Sequence, residues 1–311
     1  MEMNMEKPKH IISLATSAVL VSVDVNVWSA TKQDRGISAE VTSAKKADSN
    51  AGRFVKNLLA DDPTHKKLSN YRQTVYNWVK RSTYRWNNSQ DLLPVAMLTK
   101  FKAEYHEHEK NFASLLDEFL DKYPNIISDM AFKQGDMFDR EEYPSVDQVR
   151  GKFGIKLYVA EVPTNDFRCN IAQDLADDLK SHYESQAQEI VSSVMADATH
   201  RLVDYMQRIH HCCGVDEVEV TKASTDTGLT KEVKTKKRKI YDTTLQQAKE
   251  QCEVLKSFNL TNNNELAEAS ASLEKLLADV SVDDLRDSDA VRHHVQTGIG
   301  DILSKFSPLT V

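Results

Sequence analysis

The sequence predicts an α+β protein that is mostly helical, with a small antiparallel sheet and helices in the N-terminal half and an elongated helical bundle with a basic hairpin in the C-terminal half. Three observations lead there. Glycine and proline are scarce, 9 and 7 among 311 residues, too few for the many tight turns of an all-β protein. Two segments alternate strictly between their faces, and long stretches elsewhere repeat apolar residues every three or four positions. Because single cores rarely grow past roughly 250 residues, the change of pattern divides the chain into 1–163, an α+β domain, and 164–311, a long-helix bundle with a basic hairpin or loop at 214–241.

The first strand is Val19 to Trp28, where Val19, Val21, Val23, Val25 and Val27 share one face. Thr31 to Asn50 is polar and without period, which predicts a loop. Arg53 to Leu59 and Lys67 to Val79 have helical spacing and predict two short helices. Pro94 suits a first helical position, and the stripe from Leu98 through Phe101, Tyr105, Phe112 and Phe119 to Leu120 predicts an amphipathic helix that Pro124 ends. The second alternating run, Phe153, Ile155, Leu157 and Val159 between Gly151 and Pro163, is again a strand. Two strands cannot stand alone in water, so these two are expected to pair and pack one face on the helices.

A cap at Asn165 or Asp166 starts the longest element. Ala172, Leu175, Leu179, Tyr183, Ala187, Ile190, Val194, Ala198, Leu202, Tyr205 and Ile209 follow at a mean step of about 3.7, a helix of about 45 residues. Its near-eleven-residue period predicts a straight or faintly right-handed seam. Partner helices are expected at Thr243 to Phe258, Leu266 to Val280 and Ala290 to Phe306, the last two announced by the start signals Asn262-Asn263-Asn264 and Ser281-Val282-Asp283.

A formal net charge of −7 opposes wholesale wrapping by nucleic acid, so any such contact must be local. Cys169, Cys212, Cys213 and Cys252 are too few and too unevenly spread for a disulfide framework and read as reduced thiols. The apolar run Ile11 to Val23 is broken by Ser13, Thr16, Ser17 and Ser22, and the only small-residue exit puts Trp28 at the −3 position, which speaks against a signal peptide. No stretch reaches the ~18 apolar residues of a membrane span. The expectation is a cytoplasmic protein without membrane contact.

No GxxxxGK[ST], GxGxxG, GxSxG or HExxH motif is present, so no enzyme, cofactor or metal is expected. His210, His211, Cys212 and Cys213 are zinc-ligand types, but four adjacent helical residues point apart and cannot close a tetrahedron. Tyr71, Arg72, Tyr76, Trp78, Lys80, Arg81, Tyr84, Arg85 and Trp86 interleave rings with cations in a way that could stack bases, although a helix that must bury something makes most of these rings core. The sharpest charge feature is Lys231, Lys234, Lys236, Lys237, Arg238 and Lys239, six cations within nine residues. Two readings are open. One is a finger that touches the phosphates of nucleic acid or nucleotide; the other is a solvated hairpin whose opposite charges pair with Asp216 to Glu219 across strands.

Three segments, Val25-Asn26-Val27-Trp28-Ser29, Glu118-Phe119-Leu120-Asp121-Lys122-Tyr123 and Val149-Arg150-Gly151-Lys152-Phe153-Gly154-Ile155, resemble a family of uncharacterised bacteriophage and bacterial proteins. The resemblance covers about the first half of the chain and is lost from Thr31 to Lys67. Members look like proteins encoded near AAA-type ATPases and von Willebrand A-domain proteins similar to cobaltochelatase subunits. The resemblance implies a phage interaction or assembly protein of the host cytoplasm, with a AAA ATPase as a candidate partner, and brings no catalytic residue. Contact with protein partners through the long-helix bundle, homo-oligomerisation, and nucleic-acid binding through the basic segment are the other expectations.

Overall fold

The computed structural model describes residues 14–60, 62–163, 173–224 and 228–305, with the side chains of residues 173–180, 183, 217–235 and 257 outside the description. The architecture is mixed α+β and mostly helical. Strand β1 (Ala18–Asn26) pairs antiparallel with β6 (Gly154–Glu161), as the alternation predicts, with Val21 opposite Val159 and Val25 opposite Ile155. Two short strands complete a four-stranded sheet in the order β4-β5-β1-β6, namely β4 (Tyr84–Arg85) and β5 (Asp91–Pro94).

The two faces of β1 serve two different cores. Val21, Val23 and Val25 join the cluster formed by helices α2 (Pro63–Ser82) and α3 (Leu98–Gln134), with Leu68, Val75, Phe101, Phe119 and Tyr123. Ala18 and Leu20 point the other way. Together with Tyr84, Leu92 and Val162 they join Val194, Leu202, Leu245, Phe258, Leu273 and Val295 of the second half. The expectation that the sheet packs one face is therefore corrected: near β4 and β5 both faces are covered, and only Asp24 and Asn26, further along the same side of β1, are exposed.

Four further expectations are corrected. Thr31 to Asn50 is not a loop: it holds β2 (Thr31–Asp34) and helix α1 (Arg35–Ala44), and Arg53 to Leu59 contains strand β3 (Phe54–Asn57), paired with β2, in place of a helix. This lobe is held by polar bonds, which an apolar period cannot reveal. Asp34 caps α1 by accepting from Ile37 N at 3.0 Å, and that bond holds its carboxyl below the usual range. Buried Lys56 lies 2.7 Å from Glu142 and donates to the Met137 carbonyl at 2.6 Å, tying β3 to the turns after α3. Pro94 closes β5, and α3 starts at Leu98 after a 3-10 turn. Finally α3 runs through Pro124 to Gln134 and stops at Gly135, whose φ of 52° suits glycine. Buried Ile126, Ile127 and Met130 lie beyond the proline, and their burial outweighs the ~3 kcal/mol it costs.

In the second half, α5 (Gln173–Cys213) is the long helix. It packs against α6 (Asp242–Ser257) and α9 (Asp289–Lys305), while α7 (Asn264–Leu277) packs against both of those. Asn263, within a predicted start signal, accepts from Leu266 N at 3.1 Å, whereas Ser281, expected to announce the last helix, forms a reciprocal capping box at the start of a separate short helix, α8 (Val282–Asp287), before α9 begins at Asp289. The caps proposed at Asn165 or Asp166 lie outside the described residues. Arg201 of α5 ties the two halves together. Its guanidinium bonds the Arg81 and Thr83 carbonyls at 2.8 Å each, where α2 ends, and lies 4.5 Å from the centre of the Tyr84 ring. Among the described residues no helix is long and apolar enough to cross a membrane.

Candidate functional site

The basic segment lies on a ribbon. Among the described residues, strands β7 (Val215–Ser224) and β8 (Gly228–Lys237) pair only with each other, from Val215 opposite Lys237 to Ser224 opposite Gly228. At ~3.3 Å per residue each strand spans about 33 Å. The ribbon leaves the C-terminal end of α5, where the last helical carbonyls have no intrahelical donor. Arg292 of α9 supplies one. Only 4% exposed, it donates to the carbonyls of Cys212 (2.5 Å), Cys213 (3.2 Å), Gly214 (3.0 Å), Arg238 (3.2 Å) and Leu285 (3.1 Å). Nε and Nη2 of one positively charged guanidinium thus meet Cys213 and Cys212, the last carbonyls at the negative end of a 41-residue helix, while its other bonds reach Gly214, Arg238 and Leu285 outside that helix. The ribbon is aimed by this clamp.

Of the six predicted cations, Lys236, Lys237, Arg238 and Lys239 have described side chains. Lys231 and Lys234 stand opposite Thr221 and Val218, and their side chains lie outside the described residues. Lys237 is 2.6 Å from Asp289, and Arg238 is 2.6 Å from Asp216 while also donating to His211 O at 3.1 Å. Lys236 and Lys239 are exposed and have no carboxylate partner among the described residues. A concavity of about 360 Å³ at the ribbon's base is lined by Lys237, Arg238 and Lys239 together with Arg286 and Arg292, two cations that the sequence reading missed. They are remote in sequence, and nothing short of the packing of α8 and α9 against the ribbon brings them there.

Other sequence candidates resolve into structure. Trp78 and Tyr84 are buried, Trp78 stacked on Phe101 at 4.4 Å and donating to Glu104 at 2.5 Å, while Arg72, Arg81 and Arg85 are exposed. Burial pushes the Cys213 thiol up to about 11, which opposes the thiolate form that metals need. Among the described residues no group of three or more His, Cys, Asp or Glu could hold a metal ion.

The segments from Val25 to Ser29, Glu118 to Tyr123 and Val149 to Ile155 converge. The Trp28 ring meets Tyr123 at 6.2 Å, and its carbonyl is 2.6 Å from His65 Nε2. His65 in turn packs against Phe119 and Phe153 at 5.7 and 6.3 Å. Lys152 lies 5.0 Å over Trp28. Residues about 125 positions apart thus form one corner of the sheet; each segment alternates or repeats apolar residues, and that corner's core is what they build.

No family model, no curated protein and no solved structure matches this chain.

Proposed function

We propose that the protein is a non-enzymatic interaction or assembly protein of phage origin, acting in the host cytoplasm, with the β7–β8 ribbon as the arm that engages a protein partner. The observation that supports this reading is a ten-residue pair of strands that joins no larger sheet among the described residues. An isolated two-stranded ribbon is marginal in water, and its outer edges offer unpaired backbone groups to a strand of a partner. Clamping by Arg292 gives the arm a defined direction.

The first partner to test is a AAA ATPase encoded beside the gene. Co-purification with neighbouring gene products, with light scattering to size the complexes, is expected to capture one of them, and replacement of residues 217–235 by a short Gly-Ser turn is expected to abolish capture. A chain that stays a strict monomer and binds none of them overturns the proposal.

A second reading, nucleic-acid binding by the basic segment, is favoured by exposed Lys236 and Lys239. It predicts affinity that falls steeply with salt, the slope shrinking by about one per phosphate-contacting lysine removed. Filter binding at low salt that is absent, or unchanged by K236A/K239A, rejects it.

A further inference from the structure

We infer that the cleft where β1 ends and β6 begins is a binding site for the phosphoryl groups of a small anion such as a di- or triphosphate. The cleft has a volume of about 380 Å³, and its lining includes Arg72 of α2, Lys152 and Lys156, with Asn26 and the backbone of Gly151 and Gly154. That volume lies in the range of small-ligand sites, roughly 300–1,000 Å³.

Charge is the first argument. None of the lining residues is a carboxylate, and among the described residues none of the three cations has an ion-pair partner. Asp24 stands opposite Lys156 in the β1–β6 ladder without pairing to it. Neighbouring cations behave differently: Lys67 and Lys122 both meet Glu118, at 3.0 and 2.8 Å, and Arg150 meets Asp117 at 2.9 Å. Arg72 and Lys152 rest over the Tyr76 and Trp28 rings, at 5.5 and 5.0 Å, and all three cations are exposed, so an anion that enters the concavity gains the attraction of three cations that no carboxylate among the described residues engages. At the ribbon's base, by contrast, Lys237, Arg238 and Arg286 already meet carboxylates and Arg292 is committed to backbone carbonyls, which leaves Lys239 alone without such a partner among the described residues.

The glycines are the second argument. Gly151 has φ −66°, a conformation any residue adopts, and a Cβ there would meet nothing closer than 3.7 Å. At Gly154 a Cβ would meet nothing within 4 Å, and its φ is not in the left-handed region. Neither backbone angle nor packing requires glycine at either position. Their lack of side chains leaves the cleft open and its peptide groups approachable, as close contact with a phosphate needs. Arg72 can grip two oxygens at once, whereas the lysines act as point charges.

Calorimetric titration of the full chain at low salt with pyrophosphate, and separately with ATP, tests the site. Saturable pyrophosphate binding is expected. Equal affinity for ATP assigns recognition to the phosphoryl groups alone, and tighter ATP binding adds a contact to the nucleoside. R72A/K152A should weaken both by about tenfold or more, since two charge-assisted contacts are lost. Gly154→Val, which suits a strand but fills the cleft, should weaken both while circular dichroism stays unchanged, and K102A/K133A, at two exposed cations of α3 outside the cleft, should leave both intact. Absence of pyrophosphate binding, binding that survives R72A/K152A, or binding lost in K102A/K133A overturns the inference.

Discussion

Arg292 illustrates how one residue can carry more than its sequence context suggests. It sits in a helix among His293 and His294, yet it is buried without a carboxylate, and its five bonds go to backbone carbonyls. Arg292→Met is expected to leave several buried acceptors unsatisfied and to lower stability by about 3 kcal/mol in urea unfolding, since each costs about 1–3 kcal/mol and water rescues some. Arg292→Lys should recover little, lacking the planar fork. A second prediction concerns alkaline pH. Burial pushes Cys213 and Cys252 up to about 11 and Tyr123 up to about 12. The native chain therefore keeps protons that the unfolded chain, with ordinary values of 9.0 and 10.0, releases. Stability is complete below pH 9 and falls as pH rises toward 12; a urea midpoint that stays level across that window contradicts it. Half-buried Cys212 should also alkylate faster than Cys213 at about pH 8, read by peptide mass spectrometry.

At the scale of elements, Pro124 offers a direct test. It is exposed within α3, so its ring contributes little packing while its missing N–H weakens the ladder. Pro124→Ala is expected to stabilise the protein by about 1–3 kcal/mol, measured by the urea midpoint; destabilisation would mean that the proline itself is needed for packing. The long elements were legible in the sequence because burying one face leaves a period. Strands β1 and β6, helices α2, α3 and α5, and the bundle helices all carry such stripes, and Asn263 and Ser281 mark their own helix starts. The lobe of β2, α1 and β3 was not legible. Its bonds run from Asp34, Ser38, Thr42 and Lys56 to backbone and carboxylate, and polar residues look the same in a folded lobe and in a loop.

For the molecule as a whole, the sheet is the shared wall. Leu20, Tyr84 and Leu92 belong to the cluster built by the second half, and Val21, Val23 and Leu93 to that of the first. Arg201 and Gln251 strengthen the junction, Gln251 bonding Tyr84 Oη at 3.2 Å and the Ala198 carbonyl at 3.1 Å. The two halves are therefore expected to unfold together. Trp28, Trp78 and Trp86 all lie in the first half, so their fluorescence reports on it while circular dichroism reports on helices of both. Coincident urea transitions by the two probes support joint unfolding, and separated ones contradict it.

By itself the sequence determined the helical majority, the β1–β6 pairing, the length of α5 and the position of the basic hairpin, because each rests on local periodicity or on residues adjacent in the chain. Only the tertiary structure decided which cations stay unpaired. Lys237 and Arg238, conspicuous in the sequence, are neutralised by Asp289 and Asp216, whereas Arg72, Lys152 and Lys156, scattered over 85 positions, line one cleft. Charge compensation depends on distance in space, and a linear pattern of residue types does not contain that distance.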